Sequence, residues 1–205
     1  MSYYEKKLNK DWQPDFGSIF LWPAMDKFGK IAIMVNNCWG DLPKALLSNS
    51  NAISLLLPFM EYVFEEIDTF SQYFYDKHGE TILDLYSGLF YRAYKNRKEV
   101  EIYVSKNSKY QSICDEGLPS KKCLYVYHAV EGDHPGQDFV VGYDGETKMG
   151  DYFRYLIPTI YASIEDFPKE LRPAISLSNL VDFSRDRLLD NNKISYYFTS
   201  LYQLS

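Results

Sequence analysis

Ser18-Ile19-Phe20-Leu21-Trp22-Pro23-Ala24-Met25-Asp26-Lys27-Phe28-Gly29-Lys30-Ile31-Ala32-Ile33-Met34-Val35 decides the fold reading, because two apolar runs flank a polar, glycine-bearing tetrapeptide. Ser18 to Trp22 reads as a short strand stopped by Pro23, which has no N–H to give a ladder. Lys30 to Val35 reads as a second strand, with Asp26 to Gly29 turning between them. The chain thus starts with a hairpin. Asn36-Asn37-Cys38-Trp39-Gly40-Asp41 is rich in turn formers, and Asp41 is placed as the N-cap of a short helix through Leu47 with Pro43 in its first turn.

Working outward, Asn51 to Tyr75 carries Ile53, Leu56, Leu57, Met60, Phe64, Ile67, Phe70 and Phe74 at helical spacing, which predicts a long helix with a core-facing stripe. Glu61, Glu65, Glu66 and Asp68 take its other face, Pro58 interrupts it, and His78-Gly79 ends it. Leu89 to Tyr94 and Val100 to Val104 read as two strands joined by Lys95 to Glu99. Cys123 to Val130 and Phe139 to Tyr143 read as a second pair around the loop Glu131 to Asp138. After Gly150 the spacing of Tyr152, Tyr155, Leu156, Ile160 and Ile164 predicts a helix, and Asn192 to Leu204 predicts another. Hairpins mixed with helices, without a βαβ rhythm, predict an α+β fold: a mainly antiparallel sheet with packed helices, in one domain over 1–205.

The 205 residues, 46% of them apolar, suffice for one sizeable core. A net charge of -6 argues against a nucleic-acid binder, whose affinity needs clustered Lys and Arg, and favours a cationic partner. The charged N-terminal decapeptide does not read as a secretory signal, and the apolar run Ile53 to Phe64 contains Pro58 and Glu61 and is too short for a membrane span. Cys38, Cys114 and Cys123 are odd in number, widely spaced and without a Cys-x-x-Cys pair, as expected of thiols in the reducing cytoplasm. Tyr, Phe and Trp make up 17% of the chain, a composition that suits half-buried sheet faces and protein interfaces alike.

No Gly-x-Ser-x-Gly, Gly-x-Gly-x-x-Gly or Walker loop occurs, so neither a nucleophile elbow nor a nucleotide cofactor is expected. The sharpest enzymatic candidate is the cluster His128, Glu131, Asp133, His134 and Asp138, since imidazole and carboxylate groups in one loop can hold a divalent metal or run acid-base chemistry; a metal-assisted hydrolase would use His128, Asp133, His134 and Asp138. Against it, the spacing matches no metal signature, and Gly132, Asp133, Pro135 and Gly136 are ordinary turn residues.

The charge pattern supports a different use. Seven carboxylates lie between Glu61 and Asp84 against one Lys, and six between Glu131 and Asp151 against one, while Arg92, Lys95, Arg97, Lys98, Lys106 and Lys109 make the middle basic. A solvated surface accounts for such a pattern. So does an acidic, Tyr-bearing face that docks onto a basic protein, with Glu131, Asp133, Asp138, Tyr143 and Asp144, and Glu65 and Asp68 from the other segment, as its contact residues.

Phe28-Gly29-Lys30-Ile31-Ala32-Ile33 followed by Trp39-Gly40-Asp41-Leu42-Pro43, in an acidic, aromatic-rich α+β chain, resembles segments of bacterial toxin-immunity proteins. The resemblance implies a cytoplasmic, stoichiometric inhibitor that masks a toxin's active site or an adjacent surface, often a positively charged one. It carries over no individual binding residue.

Overall fold

The computed structural model describes residues 3–64, 77, 79–107 and 122–204. An N-terminal helical turn, α1 (Tyr3–Lys7), precedes the hairpin of β1 (Leu21–Met25) and β2 (Ile31–Val35), which pair antiparallel with Leu21 opposite Val35. The first strand therefore runs through Pro23 and does not stop there. Pro23 faces Ile33, one residue before the other neighbour joins β1 at Ala24, so the missing N–H interrupts no continuous ladder. The turn is fixed by the buried Asp26 carboxylate, which accepts from the backbone N–H groups of Phe28, Lys30 and, across the chain, Phe183.

α2 (Lys44–Leu47) has Pro43, not Asp41, as its N-cap residue. α3 (Ser50–Phe64) buries Ala52, Ile53, Leu56, Phe59, Met60, Tyr62 and Val63, and Pro58 lies inside it without ending it. The expected helix to Tyr75 beyond Phe64, its acidic face at Glu65 and Asp68, and the His78 terminus lie outside the described residues. β3 (Thr81–Leu83) and β4 (Tyr86–Ser87) follow.

Two expected hairpins are corrected. Arg97 to Asn107 forms a helix, α4, in place of a strand at Val100 to Val104. Val100 and Val104, the buried residues of that stretch, are four apart and share one helical face. β5 (Tyr125–Ala129) and β6 (Val140–Val141) do not pair with each other: β6 pairs with β4 as a separate two-stranded ribbon. The expected helix after Gly150 is instead the longest strand, β7 (Tyr152–Pro158). β8 (Ser176–Leu177), β9 (Leu188–Leu189), the single turn α5 (Ile194–Tyr197) and β10 (Ser200–Leu201) complete the chain, so the expected C-terminal helix is one turn followed by an edge strand.

The fold is α+β. Its main sheet, eight strands among the described residues, runs β10-β8-β1-β2-β5-β7-β3, with β9 also on β7. The pairings are mostly antiparallel, and the parallel ones are β1 with β8 and β2 with β5. Every residue of β2 and β5 is buried, because both faces of the sheet centre are covered. Tyr125, Tyr127 and Ala129 of β5 join the larger core with α1 and α3, while Val126 and Val130 join a smaller core under α4 and the ribbon. Trp22 anchors the larger core edge-on to Tyr152 and Phe198, with centroids 6.0 and 5.2 Å away.

The pairing of β5 with β7 slips between Val126 and Tyr127: Val126 faces Leu156, but Tyr127 faces Arg154. Tyr155 is the extra residue of this bulge, which lets it and Leu156 enter the same small core in succession. The bulge aims Tyr155 at His128, whose ring lies 4.6 Å away.

Candidate functional site

β2 and β5 are parallel neighbours, so the loops that leave their carboxyl ends emerge side by side, the arrangement in which open sheets place clefts. The first loop is Asn36 to Gly40. Trp39 and Gly40 N–H both donate to the Asn36 carbonyl, at 2.9 and 2.7 Å, and Asn37 and Cys38 take φ of 41° and 69°. Two successive non-glycine residues in the left-handed region cost of order 1–2 kcal/mol each, so the surroundings must over-determine the turn. They do: Asn37 Nδ2 donates to the Ala129 carbonyl at 2.9 Å and Trp39 Nε1 to that of Gly132 at 2.8 Å. Buried Asn36 adds bonds to Phe20 N and Ser18 O.

The second loop, Val130 to Asp138, is tied by one carboxylate. Asp138 Oδ1 accepts from the Ser87 hydroxyl (2.8 Å), Leu89 N (2.9 Å) and the N–H of the next residue, Phe139 (2.8 Å). Asp138 therefore clamps the loop to the β4 ribbon. At the tip, the Gln137 side-chain oxygen accepts from Asp133 N.

Between these loops lies a cleft. Its outer mouth, about 350 Å³, is lined by Phe16, Cys38, Trp39, Arg92, Asp133 and Gln137 among others, and an inner recess of about 170 Å³ reaches Ile19, Tyr91, His128, Phe153 and Tyr155. Asn37, Phe90 and Glu131 line both. The recess floor is organised by the buried contact of the Tyr91 and Tyr155 hydroxyls at 2.5 Å. Three large apolar side chains of the cleft are open to water: Phe16 is 75% exposed, Phe90 57% and Ile19 51%.

The structure sorts the residues expected from the sequence. Glu131 and Asp133 line the cleft. Asp138 is buried and belongs to the framework, not to a contact surface. Tyr143 packs on the smaller core and Asp144 is exposed beside it, near Arg187, away from the cleft lining. Glu65 and Asp68 lie outside the described residues.

The donors of the hydrolase reading are dispersed. His128 is buried on β5, whereas His134 is exposed, its Nδ1 3.3 Å from the Pro135 carbonyl. Among the described residues no three His, Cys, Asp or Glu side chains gather where a metal ion would sit. The basic middle has a partial structural use, since Arg97 donates to the carbonyls of Asp84 and Leu83 and pairs with Glu101 at 2.8 Å.

No family model, curated protein or solved structure matches the chain. Its function must be read from its own geometry.

Sequence reasoning missed the exposed Phe16, Ile19 and Phe90 of the cleft and Tyr91 and Tyr155 of its recess. The Asn-Asn-Cys-Trp-Gly run was the available signal, because a turn of that composition between a buried strand and a helix admits left-handed backbone. No helix among the described residues is long and apolar enough to cross a membrane.

Proposed function

We propose that this chain is a non-catalytic protein-binding module, an immunity protein that neutralises a cognate bacterial toxin in the cytoplasm by docking on it and masking its active site. The observation that carries the reading is the exposure of Phe16 and Phe90, which line the cleft mouth with Glu131 and Asp133, and of Ile19, which lines the adjoining recess with Phe90 and Glu131. Large apolar side chains gathered at a cleft mouth and left to water are costly unless a partner covers them. Aromatic anchors are the residues enriched at interface centres, and the charged Glu131, Asp133 and Arg92 beside them suit the polar rim of such a patch. The net charge of -6 then steers a basic toxin domain towards the face.

Rigid loops fit this role, because a preformed surface loses little entropy on binding. The clamp of Asp138 and the bonds of Asn37 and Trp39 supply that rigidity. Co-expression with the product of the adjacent gene, followed by size-exclusion chromatography, tests the proposal. A stoichiometric complex whose association slows as salt is raised, and which is lost in Phe90→Asp, is expected. Two free monomers at micromolar concentration would overturn it.

A further inference from the structure

Beyond the docking reading above, we infer that β10 is the contact of a two-fold homodimer, in which the strand pairs antiparallel with β10 of a second copy of this chain. The main sheet has two lateral edges, and they are finished differently. At the β3 edge the Arg97 guanidinium donates to the Leu83 and Asp84 carbonyls and α4 lies alongside, so that edge is blocked. At the other edge, β10 has β8 as its one neighbour among the described residues.

The ladder sets which groups of β10 point away from the sheet. Tyr202 N–H donates to the Ile175 carbonyl at 2.9 Å, while Ser200 faces Leu177 and Leu201 faces Ser176. Bonded and non-bonded pairs alternate along an antiparallel ladder, so Ser200 and Tyr202 bond towards β8 and Leu201 turns its N–H and carbonyl outward. Thr199 and Gln203 share that outward register, and both are exposed. Natural edge strands are blunted by charged side chains or proline. Neither is present here: Ile194 to Leu204 holds no charged residue and no proline, in a chain that is 24% charged.

That composition also selects a second copy as the occupant. Antiparallel pairing about a two-fold axis sets Leu201 against Leu201, Ser200 against Tyr202 and Thr199 against Gln203, so a charge at the centre would meet its like. Two copies that each carry -6 repel over most of their surface, and β10 is a stretch where no carboxylate stands between them. Tyr196 and Leu204, which flank β10 in the chain and are exposed, supply apolar area for the contact.

Sedimentation equilibrium of the full chain from about 10 μM to about 500 μM tests the inference, a range set by the weak affinity expected of a contact this short. The mass should climb with concentration towards twice the monomer value. Leu201→Pro removes the outward N–H without touching a bond to β8, and should hold the chain monomeric. Thr199→Lys combined with Gln203→Lys sets like charges opposite each other at both ends of the paired strands and should do the same. Thr199→Lys combined with Gln203→Glu sets opposite charges there and should retain the dimer. Thermal melts confirm that the variants are folded. A monomer at every concentration would overturn the inference and leave the edge to a strand of another protein. A dimer that survives Leu201→Pro or the two lysine substitutions together, or that is lost in Phe90→Asp, would place the contact elsewhere and overturn it equally. Phe90→Asp alters the docking face alone, so the dimer and the immunity role fail separately.

Discussion

Asp138 and Ser87, 51 residues apart in the chain, meet with the serine hydroxyl donating to Oδ1 at 2.8 Å, and the same oxygen takes the N–H groups of Leu89 and Phe139. This carboxylate is what joins the loop after β5 to the β4 ribbon, and hence one wall of the cleft to the other. Asp138→Ala leaves the buried serine hydroxyl and two backbone donors without their acceptor, so a loss of about 2–4 kcal/mol in urea unfolding is expected. Asp138→Asn keeps one acceptor oxygen and should lose less than half of that. The sequence offered Asp138 as a contact residue because an acid in a Gly- and Pro-rich loop resembles a surface group; only the tertiary placement of Ser87 shows otherwise.

A second carboxylate holds the smaller core. Asp84 is shared by Arg154, 2.7 Å from Oδ2, and Arg187, 2.7 Å from Oδ1, and the Arg154 side chain is only 7% exposed. Removing the acid strands a buried guanidinium, whose other side-chain partner among the described residues is the Phe183 carbonyl. Asp84→Ala is expected to destabilise by about 3–5 kcal/mol, whereas Arg187→Ala, at the solvent-facing side of the triad, should cost about 1 kcal/mol or less. Denaturant midpoints of the two variants check the order, and a larger loss from Arg187→Ala would contradict it.

Gly40 is required by close approach and not by its backbone angle. A Cβ there would stand 2.5 Å from the Tyr152 hydroxyl oxygen and 2.6–2.8 Å from ring carbons. Tyr152 cannot retreat, because it is fully buried, accepts from Trp22 Nε1 at 3.2 Å and donates to the Asp41 carbonyl at 3.0 Å. Gly40→Ala is therefore expected to cost about 1–3 kcal/mol. Gly88→Ala, which meets the ring of Phe139, should cost less, since that ring is 60% exposed and free to swing outward. Thermal melts of the pair measure the difference.

The opening hairpin was legible because its strands are short apolar runs around a turn. β7 was not, for a physical reason: buried on both faces and bulged at Tyr155, it shows no period-two alternation, and Tyr152, Tyr155 and Leu156 mimic helical spacing. α4 erred the other way, since β-branched Val100 and Val104 suggested a strand while their spacing of four was the sounder signal. Of the site, Glu131 and Asp133 were found from charge alone. Phe16, Ile19 and Phe90 carry no local mark, because exposure is set by what packs around a residue and not by its neighbours in the chain.

Stability should form a plateau bounded by two kinds of group. Burial alone would raise the Asp166 carboxyl, but the Lys77 ammonium at 2.7 Å and the Ser163 N–H outweigh it and hold Asp166 below its ordinary value of 3.8. A depressed carboxyl stabilises the fold above the unfolded pKa, and that contribution is lost as pH falls through the folded value, here below about pH 4. At the other limit, burial pushes the hydroxyls of Tyr127 and Tyr152 above their ordinary 10.0. A raised group contributes fully below its unfolded pKa and ceases to do so as pH climbs past it, so the fold should weaken above about pH 10. Melting temperature against pH should be flat from about pH 4 to about pH 9, where the buried Cys123 thiol, also pushed up by burial, begins to contribute to the alkaline fall. Tyr127→Phe removes one ionising group and should shallow the alkaline fall, although it also removes the bond to the Asp186 carbonyl and lowers the plateau by about 1 kcal/mol. An alkaline slope identical to that of the parent chain would show that Tyr127 does not set this limit.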